Sequence, residues 1–234
     1  MIDIHCHILP GIDDGPKYID ESLEMAKIAS LDGITTIVAT PHIKEPPYPP
    51  EDIEIKVAAL NERLAETGIP LNVLQGADVS STVDVSSLHA YTINRTRYIL
   101  IEFPHLYLPG NAKDIIFRLM MHGYRPIITH PERNLSILEN PKLFLALLDT
   151  GLLVQITADS LTGAFGPDIR ECASYFLKKG VVNFIATDAH SSRERRPELS
   201  GAVKIAAEML GKEQANRLVT LNPGNVVQGK TIGA

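Results

Sequence analysis

The sequence predicts an α/β fold, a distorted parallel (β/α)7 barrel, and three observations carry that prediction. Short runs rich in β-formers alternate with amphipathic helical stretches, the pattern of βα units around a parallel sheet. Six glycines, Gly33, Gly68, Gly123, Gly151, Gly180 and Gly211, each follow a helical stretch, where the residue after a helix adopts a left-handed backbone. Residues with metal-ligating chemistry then recur just where predicted strands end, the side on which such barrels build their sites. A doubly wound open sheet is the runner-up.

Strands are predicted over residues 2–7, 35–40, 71–75, 98–103, 126–129, 152–156 and 183–187. Helices are predicted near 19–32, 51–67, 111–122, 141–150, 168–179 and 197–210. The units around DGI, TGIP, HGYRP and TGLL read as helix-stop-strand joints of one series. No linker or low-complexity tract divides the chain, so residues 1–234 are expected to form one compact domain.

With 44% hydrophobic residues and a mean hydropathy of +0.03, the chain has the composition of a globular protein. A net charge of −6 and the absence of a basic tract argue against nucleic acid and anionic membranes as partners. Two cysteines, Cys6 and Cys172, make no disulfide framework and fit a reducing cytoplasm. No signal peptide and no membrane-spanning run are read. Homo-oligomerisation is left open.

The ligand candidates follow strand by strand. His5 and His7 close the first strand; alternation points them to one face and Cys6 to the other, so two imidazoles share one cation at ordinary distances. His42 follows strand two, in ATPH. Asp78 follows strand three, in GADV. Glu102 ends strand four, in ILIEFP, where a carboxylate in an apolar strand calls for a cation. His130 follows strand five, and Asp188 and His190 follow the last strand. Five of the eight histidines thus fall at strand ends, which argues for a site rather than scatter. In IDDG, spacing does not choose between Asp13 and Asp14, and either Asp also suits a turn.

Arg133, directly after His130, offers a planar fork for phosphate oxygens. Arg193, Arg195 and Arg196 follow the last ligand pair and read equally as a solvated face. His89 and His105 lack such context, and His122 reads as a helix-terminal histidine. The proline-rich stretch at 46–50 is either a rim of the site or a connector. Cysteine-phosphatase chemistry needs an Arg six residues after the nucleophile; Ile12 and Lys178 stand there instead. A G-x-S-x-G nucleophile motif is also absent.

The segments DIHCHILPGIDDG, ATPH, ILIEFP, HPERN, QITADSLTGAFG and TDAH together resemble the polymerase and histidinol phosphatase superfamily. More narrowly, they resemble the bacterial protein tyrosine phosphatases of capsular and exopolysaccharide operons. The likeness runs from residue 1 to about residue 225. It implies three divalent metal ions, most naturally Mn, with Fe, Zn or Co accepted by the same donors. By that resemblance the first ion takes His5, His7, Asp188 and a bridging carboxylate. The second takes the bridge, Glu102 and His130, and the third takes Asp14, His42 and His190. The family's bridge is Glu; here the aligned residue is Asp78, one methylene shorter. Arg133 matches the family's phosphate-binding arginine and Arg195 a second one. The implied substrate is phosphotyrosine on the tail of a bacterial tyrosine autokinase. Three other readings use the same residues: a phosphatase of a small molecule such as histidinol phosphate, a metal-dependent amidohydrolase, and a catalytically weak regulator that binds the kinase tail.

Overall fold

A computed structural model describes residues 1–45 and 47–232, without the side chains of Ser86 and Ser87. Its strands are β1 (Ile2–Cys6), β2 (Thr36–Ala39), β3 (His42–Ile43), β4 (Asn72–Gln75), β5 (Asp78–Ser80), β6 (Tyr98–Glu102), β7 (Arg125–Thr129), β8 (Leu153–Thr157) and β9 (Phe184–Ala186). Every pairing is parallel. One sheet runs β1-β2-β4, the other β3-β5-β6-β7-β8-β9. The two are halves of one wall, because β2 continues into β3 and β4 into β5 after breaks at Thr40–Pro41 and Gly76–Ala77. The first and last strands then meet. The Asp188 N–H donates to the His5 carbonyl and the His7 N–H to the Ala189 carbonyl, both at 2.8 Å, and Cys6 bridges Ala189. Seven staves close a distorted barrel.

The barrel interior holds Ile4, Val38, Leu100, Ile127, Leu153, Phe184 and Ala186, with Leu74 packed against them, so every stave contributes. Ile93, Tyr98 and Val226 belong to the same cluster. Cys6, Ile8, Ile37, Ile99, Ile101 and Ile128 instead join the larger layer between strands and helices. Alternation of strand side chains separates the two layers.

One irregularity in β1 positions the site. Three residue steps of β1, Asp3 to Cys6, span two of β2, Ile37 to Ala39. Such a bulge shifts the phase of the side chains beyond it. Ile4 faces the interior, yet His5 and His7 also turn inward and Cys6 and Ile8 outward. Uniform alternation from Ile4 would have sent both histidines into the helical layer. Gly76, at a strand break, is held small by packing: a Cβ there would stand 2.6 Å from Val38 Cγ1.

Helices at Ile19–Leu31, Pro50–Thr67, Ala112–Met121, Pro167–Lys178 and Ser200–Leu210 lie where the pattern predicts them. All six predicted stop glycines have positive φ. The stretch predicted as one helix over 141–150 divides into Lys142–Leu145 and a 3-10 turn at Leu148–Thr150. Asp78 and His42, read as following strands three and two, instead open the short strands β5 and β3. Pro46, in the proline-rich stretch, lies outside the described residues, and Pro50 starts a helix. Among the described residues, no helix is long and apolar enough to cross a membrane.

Candidate metal centre

All nine candidate ligands and both arginines gather at the C-terminal end of the barrel. His5 and Asp78 are fully buried, and His7, Asp188 and His190 nearly so; Asp14 stands at the mouth with 64% of its side chain exposed. Two ligand residues leave their strands in left-handed backbone, His130 at φ 33° and Asp188 at φ 51°. Non-glycine residues hold such angles at a cost that surrounding structure must offset, and they concentrate at functional sites.

The imidazoles are held from behind. His5 Nδ1–H donates to Gln155 Oε1 at 2.9 Å, and His7 Nδ1–H donates to Asp13 Oδ2 at 2.6 Å. His190 Nδ1–H donates to the Asp188 main-chain carbonyl at 2.9 Å. Each bond fixes the tautomer that turns an Nε2 lone pair toward the pit, as outer partners of metal-bound histidines do. His5 Nε2 and His7 Nε2 then face one another at 3.3 Å, and each stands 3.3 Å from Asp188 Oδ1. Ligands about 2.0–2.1 Å from a tetrahedral cation stand roughly 3.4 Å apart. Three electron-rich atoms at this spacing repel unless a cation or a proton lies between them.

The remaining donors form two further groups. His190 Nε2 is 3.3 Å and His42 Nε2 3.7 Å from Asp14 Oδ1, with His7 close by. Asp78 Oδ2 lies 3.2 Å from His42 Nδ1 and 3.8 Å from His5 Nε2, and Glu102 Oε2 lies 3.6 Å from His42 Nδ1. Asp78 Oδ2 and His42 Nδ1 are buried off hydrogen-bonding geometry, the state of atoms arranged for an ion. His130 Nε2 reaches Glu102 Oε1 only at 3.8 Å and groups with His5 and Asp188. The donors therefore divide differently from the resemblance: His130 stands with His5 and Asp188, and His42 stands with Asp78 and Glu102 as well as with Asp14. This mixed His/carboxylate set suits divalent first-row metals.

Asp13 is the inner partner of His7 and also accepts the N–H groups of Gly15 and His42, each at 3.0 Å. Asp14 is the one of the two aspartates that faces the His190 and His42 imidazoles at Nε2. Gly15 is confined, since a Cβ would lie 2.3 Å from the His7 carbonyl oxygen. Arg133 Nη1 and Arg195 Nη2 both bond Asp188 Oδ2, the latter at 2.5 Å, and Arg195 Nη2 also donates to the Asp188 carbonyl at 2.8 Å. Gln155, a buried amide inside the apolar run LVQIT, went unread, although a lone polar residue in a buried strand asks for a partner. Asp3 also went unread. It accepts the Thr187 hydroxyl and the N–H groups of Thr187 and His5, tying β1 to the end of β9, and burial pushes its carboxyl up to about 6.

Charge in the pit is strongly coupled. Burial and then Arg133 bring His130 down to about 3; burial and then His7 bring His190 to about 4. Both are neutral donors at pH 7. Burial raises the Asp188 carboxyl, but His5, His7, His130 and Arg195 outweigh it and hold Asp188 well below the carboxylate range. Burial and then Asp78 push Glu102 up to about 7.

Burial lowers the His7 imidazole, but Asp13 and Asp188 outweigh it and raise His7 from 6.5 to about 10 when no cation is present. That raised value means the proton stabilises the cation-free fold fully below pH 6.5, and the contribution is lost as pH rises through about 10. A cation entering at His7 Nε2 must displace this proton. Mn²⁺ affinity of chelator-stripped protein is therefore expected to rise roughly tenfold per pH unit. Calorimetric titrations at about pH 6.5 and 7.5 check this, and equal affinities would contradict it.

The chain matches the family described as "Capsular polysaccharide synthesis, CpsB/CapC" over residues 1–228. It is 38% identical to the tyrosine-protein phosphatase YwqE of Bacillus subtilis over 238 residues, covering 99% of this chain and 93% of that protein. It superposes with a TM-score of 0.94 and 37% identity on a structure from a study of YwqE of Bacillus subtilis and CpsB of Streptococcus pneumoniae, described as unique metal-dependent tyrosine phosphatases. That match covers 100% of this chain and 96% of the other. A lactonase from Listeria monocytogenes aligns over 98% of this chain with a TM-score of 0.60 at 12% identity, a likeness of fold alone. With the family matched over nearly its whole length, the chain belongs to the CpsB/CapC family of capsular polysaccharide synthesis.

Proposed function

We propose that this chain is a metal-dependent tyrosine-protein phosphatase of capsular polysaccharide synthesis, acting in one domain over residues 1–234 with its site in the barrel pit. The observation that carries the reading is the double use of Asp188. Its Oδ1 faces the His5 and His7 lone pairs, and its Oδ2 is gripped by Arg133 and Arg195. Cation ligands and phosphate-directed guanidiniums thus meet at one carboxylate.

His5, His7 and Asp188 would hold one divalent ion, Asp14, His42 and His190 a second, and Asp78, Glu102 and His130 a third, with Asp78 shared and Mn the expected metal. Bound there, such ions make water acidic enough to act as nucleophile at neutral pH and offset charge on the phosphoryl oxygens. The protein's own part is orientation. Gln155, Asp13 and the Asp188 carbonyl fix the imidazoles. Arg133 and Arg195 bind the non-bridging oxygens as charge develops on them. A tyrosine phenolate, with a pKa near 10, leaves with little help from a general acid.

The finer reading takes the substrate as phosphotyrosine on the flexible tail of a bacterial tyrosine kinase, and the compartment as the cytoplasm. The amidohydrolase reading lacks its usual middle-strand lysine: β4 to β7 carry none. Metal analysis of purified protein, alongside phosphate release from a phosphotyrosine peptide with and without Mn²⁺, tests the proposal. Close to three ions per chain with Mn²⁺-dependent release is expected. Bound metal without release, or faster turnover of histidinol phosphate than of the peptide, would overturn the phosphotyrosine assignment.

A further inference from the structure

Phe165 is a half-buried aromatic beside the pit, outside the ligand set. It is presented by the turn between helices Ala158–Thr162 and Pro167–Lys178, whose glycines Gly163 and Gly166 sit at φ 91° and 99°. The Arg133 guanidinium carbon lies 4.7 Å from the Phe165 ring centroid, and that of Arg195 lies 6.0 Å away. The same two guanidiniums reach Asp188 Oδ2. Each arginine is therefore held both by Asp188 and by an aromatic ring.

We propose that Phe165 is a positioning residue that holds Arg133 and Arg195 side by side for the phosphoryl group, an inference that rests on the phosphatase reading of the site. Two like charges drawn to one carboxylate repel each other and compete for it. A ring quadrupole attracts both without drawing on the carboxylate that they share. The N–H groups not spent on Asp188 are what match phosphate oxygens. The ring does not touch the reacting atoms; it adds a restraint on two long side chains whose other hold is Asp188.

A second set of contacts ties the ring to the arginine. Glu132, fully buried next to Arg133, accepts the Thr157 N–H at 2.8 Å and the Ser160 hydroxyl at 2.7 Å. It thereby clamps the start of the short helix that leads into the Phe165 turn. The segment carrying Arg133 and the segment carrying Phe165 are set relative to one another by a buried carboxylate.

The test uses the full-length, metal-loaded protein with Phe165→Leu and Phe165→Tyr. Four quantities are read: metal per chain, the calorimetric dissociation constant for inorganic phosphate, and kcat and KM for a phosphotyrosine peptide. Phe165→Leu is expected to raise the phosphate constant and KM together, by about five- to tenfold, with metal content unchanged. Phe165→Tyr, which keeps the ring face, should stay within about twofold. Phe165→Met, unbranched, carries the same expectation as Leu and replaces it if that variant does not fold. Phosphate binding within about twofold of wild type in the Leu or Met variant, or equal damage in the Tyr variant, would overturn the role. Phosphate binding is read without turnover. A wild-type chain that binds phosphate in a Phe165-dependent way yet leaves the peptide intact would sink the phosphatase reading while supporting the positioning role.

Discussion

Asp188→Asn is expected to lower kcat/KM on a phosphotyrosine peptide by roughly a thousandfold, about 4 kcal/mol of transition-state stabilisation. The amide keeps the shape and loses the charge. His5 and His7 then share a weak neutral donor in place of a carboxylate oxygen 3.3 Å from each Nε2. On the other side, Arg133 and Arg195 lose the acceptor that both use. An uncompensated pair of cations in a mostly buried pit is costly. Metal analysis and steady-state kinetics on the same preparation read both consequences. A variant with its full metal complement and near-normal turnover would remove Asp188 from the centre of the mechanism.

Stripping the cations should lower Tm by about 10 °C. Ions present near a thousand times their dissociation constant stabilise a fold by about 4 kcal/mol. A chain of this size shifts by about 2–4 °C per kcal/mol. The structural cause is the set of buried donor atoms facing each other at 3.3 Å, which several cations hold together and which the single proton on His7 holds only in part once they leave. Thermal denaturation with excess chelator, then after restoring Mn²⁺, measures the shift and its reversal. Identical midpoints in both states would mean that the pit holds no structural charge. Asp188→Asn provides the contrast: it weakens the ion site at His5 and His7, so its Tm should respond less to chelator than that of the wild type.

Much of this was legible in the sequence because its signals are local. A His-x-His at a strand end, a glycine after each helix and a carboxylate inside an apolar strand each report on their own neighbourhood. The nine ligand positions meet in one pit because parallel staves deliver their C-terminal ends to one rim. What stayed hidden depends on pairing across the barrel. Strands β3 and β5 have two and three residues, too few to show a period, so His42 and Asp78 read as loop residues. The bulge in β1 is a register slip against β2 and leaves no mark in β1 itself. Simple alternation puts Asp3, His5 and His7 on one face, yet Asp3 bonds Thr187 instead. The helix predicted over 141–150 keeps its apolar spacing, but Ala146 and Leu147 fall between two short turns. Gln155 and Phe165 act on partners that belong to other staves, His5 and Arg133, and no spacing rule links residues so distant along the chain.

The seam where the barrel closes has a consequence for synthesis. The main-chain bonds that join the first stave to the last run through His5, His7, Asp188 and Ala189, so the residues that zip the wall shut are the ligands or their neighbours. Contacts between such distant parts of a chain form late, after the loop-closure entropy of everything between them has been met. On the ribosome, His5 and His7 emerge first and wait, unpaired, for a partner encoded near the other end. Until Asp188 and His190 leave the exit tunnel, the nascent chain carries seven of the nine ligands and lacks the seam that closes its wall. The ion held by His5, His7 and Asp188 is therefore expected to enter only once the barrel has closed.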